Sequence, residues 1–246
     1  MIVNTEAIIL KSLKYSDSSK ILWLFTKDYG KISVIAKGAR QTKSKFGAAL
    51  EPLSVSNIFF YKKSNRELHT LSSAELITDF NNIQNSLESM VCGLMILESL
   101  IQSLDENETN NSLYEKLRLS LALLNSNNKN PFSIFSAFQI ELAHQLGFSM
   151  KFDYHINSLN KFPKNLIFSL ENGYIVDEEN NKIKFFFRLD TELVRILKNI
   201  ENTRIDELAS IEIPTSLHKQ LKDFFVSYFS FHLEKPFGYK TFRLLK

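Results

Sequence analysis

The chain has 246 residues, 44% hydrophobic and 23% charged, which excludes wholesale disorder and supplies enough apolar material for a core. Seven glycines leave little for glycine-rich phosphate loops, and the single cysteine, Cys92, excludes an intramolecular disulfide and a cysteine-rich zinc site. The net charge of +3 is unevenly spread: residues 1–80 hold 12 basic and 7 acidic side chains, residues 81–150 hold 3 and 7, and residues 151–246 hold 15 and 13.

Up to about residue 80, short runs rich in Ile, Val, Phe and Thr are separated by polar turns. The runs Glu6–Leu13, Lys20–Thr26, Lys31–Ala36, Leu53–Tyr61 and Glu67–Ile77 predict five strands, and Asp28-Tyr29-Gly30 joins the second to the third as a hairpin. Five strands in so short a stretch, with a longer connection at Lys37–Leu50, point to a five-stranded OB-fold barrel. Both faces of Ile21–Phe25 are apolar, as a barrel strand covered from outside would be.

After residue 80 the period becomes helical. Ile83, Leu87, Val91, Leu94, Leu97, Ile101 and Leu104 form one stripe, and Leu113, Leu117, Leu121 and Leu124 a second. Asn130-Pro131 opens a third helix that Gly147 stops. Asp153–Asn181 is rich in Asn and Lys, with apolar runs at Leu166–Leu170 and Tyr174–Val176. Two further helices are predicted at about Asp190–Ile200 and Pro214–Leu233. The fold class is therefore α+β and multidomain, with the barrel in residues 1–80 and an all-α helical domain in residues 81–246.

No catalytic motif is present: neither phosphate-loop pattern, nor H-E-x-x-H, nor G-x-S-x-G. His69, His144, His155, His218 and His232 lack metal-ligand spacing, Asp177-Glu178-Glu179 reads as a solvated turn, and Cys92 falls near a buried stripe. These features predict no enzyme, no cofactor and no metal. The stronger feature is basic. Lys31, Lys37, Arg40, Lys43 and Lys45 follow one another without an intervening acid, on and beside the longest connection of the barrel. Phosphodiester backbones select such groups because each neutralised phosphate releases condensed counterions. Bases of a single strand also stack on aromatic rings, for which Phe46, Phe59, Tyr61 and His69 are candidates. The competing readings are a merely solvated loop beside core aromatics, and a non-catalytic OB-fold interaction adaptor whose barrel binds protein and whose basic loop docks an acidic partner.

Resemblance narrows the choice. Thr5-Glu6-Ala7-Ile8-Ile9-Leu10, then Tyr15–Leu22, Leu24–Arg40, Lys45–Pro52 and Leu68–Phe80, resemble in order and spacing the opening of the bacterial RecO recombination and repair proteins. Leu142–Phe148 resembles that family's helix ending in Leu-Gly-Phe/Tyr, and His232 through Arg243 its terminal helix and tail. The resemblance implies an OB-fold followed by helices, and binding of single- and double-stranded DNA with annealing of complementary strands. It further implies action with RecR to load RecA onto strands coated by single-strand-binding protein (SSB), whose C-terminal tail is contacted. Carried onto matched positions, it implies DNA contact by Lys31, Lys37, Arg40, Lys43 and Lys45, with Phe46 beside them. Lys235, Lys240, Arg243 and Lys246 form a second basic group. Some members hold a four-cysteine zinc module where this chain has residues 149–181 without a cysteine, so none is expected here. The beginning Met1–Glu6 has no basic leader, and the longest uncharged stretch, Asn130–Ile140, is short of the ~20 apolar residues that span a bilayer. The implied location is the bacterial cytoplasm, at the nucleoid.

Overall fold

The computed structural model describes residues 1–62, 67–126, 130–154, 165–176 and 183–245. Packing divides the chain into two compact units, Met1–Ser126 and Asn127–Lys246.

In the first unit, β1 (Ile2–Tyr15), β2 (Ser19–Thr26), β3 (Gly30–Ala36), β4 (Val55–Tyr61) and β5 (Leu68–Thr78) close a barrel in the order β1-β2-β3-β5-β4. All neighbours are antiparallel except β3 and β5, whose parallel pairing of Ser33 with Leu68 through Ile35 with Thr70 helps close the cylinder. Each strand overlaps a predicted run, and β1 is longer than expected at both ends. Alternation sends one side of each strand inward: Ile9, Leu22, Leu24, Ile32, Val34, Ile58 and Phe60 fill the interior. A 3-10 turn at Gly47–Leu50 completes this core with Ala49 and Leu50.

The β2–β3 hairpin needs its glycine. Gly30 has φ +65°, and a Cβ there would lie 2.0 Å from the Glu108 carbonyl oxygen. The hairpin meets the chain that follows α1 (Leu87–Ser103), where Asn107 N–H donates to the Lys31 carbonyl at 2.9 Å. Ser86 caps α1, its hydroxyl accepting from Ser89 N–H, and Asn110 caps α2 (Asn111–Asn125) in the same way through Leu113 N–H. Ile83, the first residue of the predicted stripe, sits instead in a 3-10 turn at Asn81–Asn85, because the Ser86 cap starts the helix later. Since α1 and α2 fold with the barrel, the change in sequence texture at residue 80 and the division by packing fall at different places.

The second unit holds α3 (Pro131–Gln145), β6 (Asn165–Ser169), β7 (Tyr174–Val176), β8 (Phe186–Asp190), α4 (Thr191–Asn202) and α5 (Thr215–His232). Pro131 stands in the first turn of α3, and Gly147, at φ +88°, follows its end. The region after residue 80 is mainly helical, but one part of the expectation is corrected. The runs at Leu166–Leu170 and Tyr174–Val176 are strands of a three-stranded sheet ordered β7-β6-β8. Its inner face brings Phe168 against Phe152 and Phe224, in a core where Tyr228 O–H donates to the Phe148 carbonyl at 3.0 Å. His155, Asp177-Glu178-Glu179 and Lys246 lie outside the described residues.

Candidate nucleic-acid interface

Six residues were expected at the site, and the fold sorts them into two groups. Lys31 lies at the start of β3 and is 8% exposed. Its ammonium donates to the carbonyl oxygens of Ile101, at 3.2 Å, and Leu104, and stands 3.8 Å from a Glu106 carboxylate oxygen. These carbonyls end α1, where the helix has no amides of its own left to satisfy them. Burial raises the pKa of Glu106, and the adjacent Lys31 opposes that rise. Lys31 is therefore a packing cation that closes a helix, and its assignment to a polyanion is corrected.

Phe46 is corrected for a related reason. It is 4% exposed and its ring belongs to the barrel core, so neither face is open to a base. It anchors the end of the connection that begins after β3. His69 is 5% exposed with its ring 5.4 Å from Phe60, and so is also closed to stacking. Of the other candidate rings, Phe59 is half-buried, and Tyr61, 42% exposed, lies where β4 pairs with the beginning of β1.

The remaining four cations occupy one folded connection. Lys37, Arg40, Lys43 and Lys45 are all exposed. The chain turns at Gly38, whose carbonyl accepts from Gln41 N–H at 3.1 Å, and again at Gln41, whose carbonyl accepts from Ser44 N–H at 2.9 Å. Arg40 ties this connection to the turn between β1 and β2: its N–H donates to Ser18 O at 2.9 Å and its guanidinium to Ser16 O at 2.6 Å. Lys45 reaches the carbonyl of Ser72 on β5 at 2.5 Å. Lys37 and Lys43 extend to solvent with no side-chain partner among the described residues. The connection thus carries four exposed cations, two of them fixed to backbone and two without a side-chain partner among the described residues.

Sequence reasoning passed over the β1–β2 hairpin beside this connection. Lys14 and Lys20 are cross-strand partners there, with Lys20 also 2.8 Å from Glu51, and Tyr15 is 51% exposed. The signal was available as Lys11, Lys14 and Lys20 around a turn whose one acid is Asp17. In the second unit Lys235, Lys240 and Arg243 are exposed.

Among the described residues no three His, Cys, Asp or Glu side chains gather as a metal site. Cys92 is fully buried, and desolvation, then the Glu88 charge, raise its thiol pKa well above the ordinary value. No described helix is long and apolar enough to cross a membrane.

The five-stranded closed barrel with this strand order places the N-terminal region in the OB class. Residues 1–80 match the family model described as Recombination protein O N terminal, and residues 84–240 match that described as Recombination protein O C terminal. The chain belongs to the RecO family of DNA repair proteins. It is 28% identical over 242 residues to the DNA repair protein RecO of Caldanaerobacter subterraneus, covering 98% of this chain and 97% of that protein. It is 25% identical over 249 residues to the DNA repair protein RecO of Clostridium perfringens, covering 100% and 99%. The DNA repair protein RecO of Salinibacter ruber is 34% identical over 146 residues, 59% of this chain and 56% of that protein.

Proposed function

We propose that this chain binds single- and double-stranded DNA on the rim of its barrel and anneals complementary strands without making or breaking bonds. The observation that carries this reading is the connection from Lys37 to Lys45, which carries four exposed cations and is tied to the β1–β2 turn through Arg40 and to β5 through Lys45. Complementary strands repel each other. A cationic rim that holds both lowers the repulsion through counterion release and raises their local concentration. Arg40 keeps its backbone tie with one guanidinium nitrogen, leaving further donors for a phosphate.

In the same reading the protein works with a RecR-like partner to load RecA onto strands covered by SSB, contacting the SSB C-terminal tail, in the bacterial cytoplasm at the nucleoid. Membership in a DNA repair family supports this reading. The test is annealing of SSB-coated complementary strands by the purified chain. Acceleration that is lost in the Lys37→Ala, Arg40→Ala, Lys43→Ala triple variant supports the function. No acceleration by the unaltered protein contradicts it and leaves an interaction adaptor.

A further inference from the structure

The outer face of the β1–β2–β3 sheet is covered over only half its length. Cross-strand partners share a face, so Ile8, Phe25 and Lys31 form one outward row, Lys11, Trp23 and Ser33 the next, and Leu13, Ile21 and Ile35 a third. The first row is closed: Ile8 and Phe25 are fully buried, the Phe25 ring lies 5.8 Å from Tyr114 of α2, and Lys31 ends in the carbonyls of α1. The other two rows are open. Leu13 is 43% exposed, Ile21, Trp23 and Ile35 are half-buried, and Tyr15 follows at 51%. The apolar pattern on both faces of β2 is therefore explained by α2 at Phe25, while Ile21 and Trp23 remain half-buried, Trp23 with the Lys11 ammonium over its ring.

The cations of this face are Lys11, in the row of Trp23, and Lys37, two residues beyond Ile35; the neighbouring Lys14 and Lys20 alternate to the opposite side, where Lys20 pairs with Glu51. Lys11 holds its ammonium 5.2 Å from the centre of the Trp23 ring. A ring, an apolar floor and these two lysines fit a strand with a polyanionic edge and flat unpaired bases. A duplex, whose bases are already stacked, has no use for the ring.

We infer that the open half of this face is a stacking platform for one unpaired DNA strand, with Trp23 as its central ring and Tyr15 towards the turn. This rests on the DNA-binding reading above and adds the surface that separates single from double strands. An exposed cation on a ring is held more weakly than a stacked base. Lys11 therefore leaves Trp23 for the phosphate next to the base that replaces it. Lys37 borders both this face and the basic rim, so a strand gripped at the rim passes onto the platform.

Trp23 is the single tryptophan of the chain, so its emission reports the platform directly. The protein is titrated with oligothymidylate and with a blunt duplex, following tryptophan emission together with anisotropy of a dye on the DNA. Oligothymidylate is expected to quench the emission and the duplex to leave it unchanged. Trp23→Ala should weaken single-strand binding about tenfold or more with duplex affinity within about twofold, and Trp23→Phe should restore most of the loss. Binding of oligothymidylate with unaltered emission and an unaltered Trp23→Ala affinity overturns the platform while leaving the basic rim intact. Equal losses for single strands and duplexes overturn it too. Quenching by an acidic peptide with an apolar end, and not by oligothymidylate, makes this a protein-docking face and also overturns it. Absence of any DNA binding by the unaltered protein removes the DNA-binding reading together with the platform.

Discussion

The Lys31 ammonium of β3 caps the carbonyl oxygen of Leu104 at the end of α1, joining two positions that are 73 residues apart in sequence. This contact decides the fate of the first cation in the basic run. It also ties the barrel hairpin to the first helix at the point where Gly30 abuts Glu108.

Replacing Lys31 by Met keeps the aliphatic stem and removes the donor, leaving the Ile101 and Leu104 carbonyls without it and Glu106 without its counter-charge. A loss of about 1.5–3 kcal/mol is expected, the range for hydrogen bonds to charged groups. Urea denaturation measures it. A midpoint unchanged from that of the unaltered protein contradicts the capping role.

Phe46→Ala removes a ring from the barrel interior and should cost about 3–5 kcal/mol, as large-to-small core changes do. Under conditions where the variant remains folded, its affinity for DNA should match that of the parent. Thermal unfolding and a binding isotherm taken on the same sample distinguish this from a stacking role, which would lower affinity with little change in melting.

Gly30→Ala combines a strained positive φ with a Cβ driven into the Glu108 carbonyl. The substitution should destabilise the first unit by more than the ~1 kcal/mol of an ordinary left-handed alanine. Hydrogen exchange at the β2–β3 hairpin would show it as lost protection.

Acid should weaken the fold through the buried His69 and the half-buried His232. Burial, then the Lys62 charge, depress the pKa of His69, whose Nδ1 has no partner among the described residues. Burial also depresses that of His232, opposed by its hydrogen bond to the Leu170 carbonyl. Each therefore contributes stability that is complete above the ordinary value of 6.5 and is lost as pH falls through it towards the depressed folded value. The urea midpoint should fall between pH 7.5 and 5.5, and should fall less in His69→Phe. Equal falls in the parent and the variant would exclude His69 as a contributor.

The barrel was legible because strand alternation and the Asp28-Tyr29-Gly30 turn are local signals. The helices were legible from their apolar period, with Ser86 as the local detail that moved the start of α1. The site was legible only in part. Lys31 and Lys37 look alike in sequence, and what separates them is a helix end about seventy residues further on. Phe46 beside Lys45 reads as a ring in a basic loop, but its role as a core anchor depends on the closure of five strands around it. The sheet of the second unit was concealed because β7 has only three residues and its partners lie outside any local period.

The most direct measurement is the salt dependence of single-strand affinity for the parent, for Lys31→Met and for the Lys37→Ala, Arg40→Ala, Lys43→Ala triple variant. Each phosphate contact contributes about 0.7 to the slope of log K against log salt on single strands. The triple variant should lose about 2 units of slope, and Lys31→Met should keep the parental slope. A parental slope in the triple variant, or a lowered one in Lys31→Met, would contradict a cationic rim built from the connection after β3.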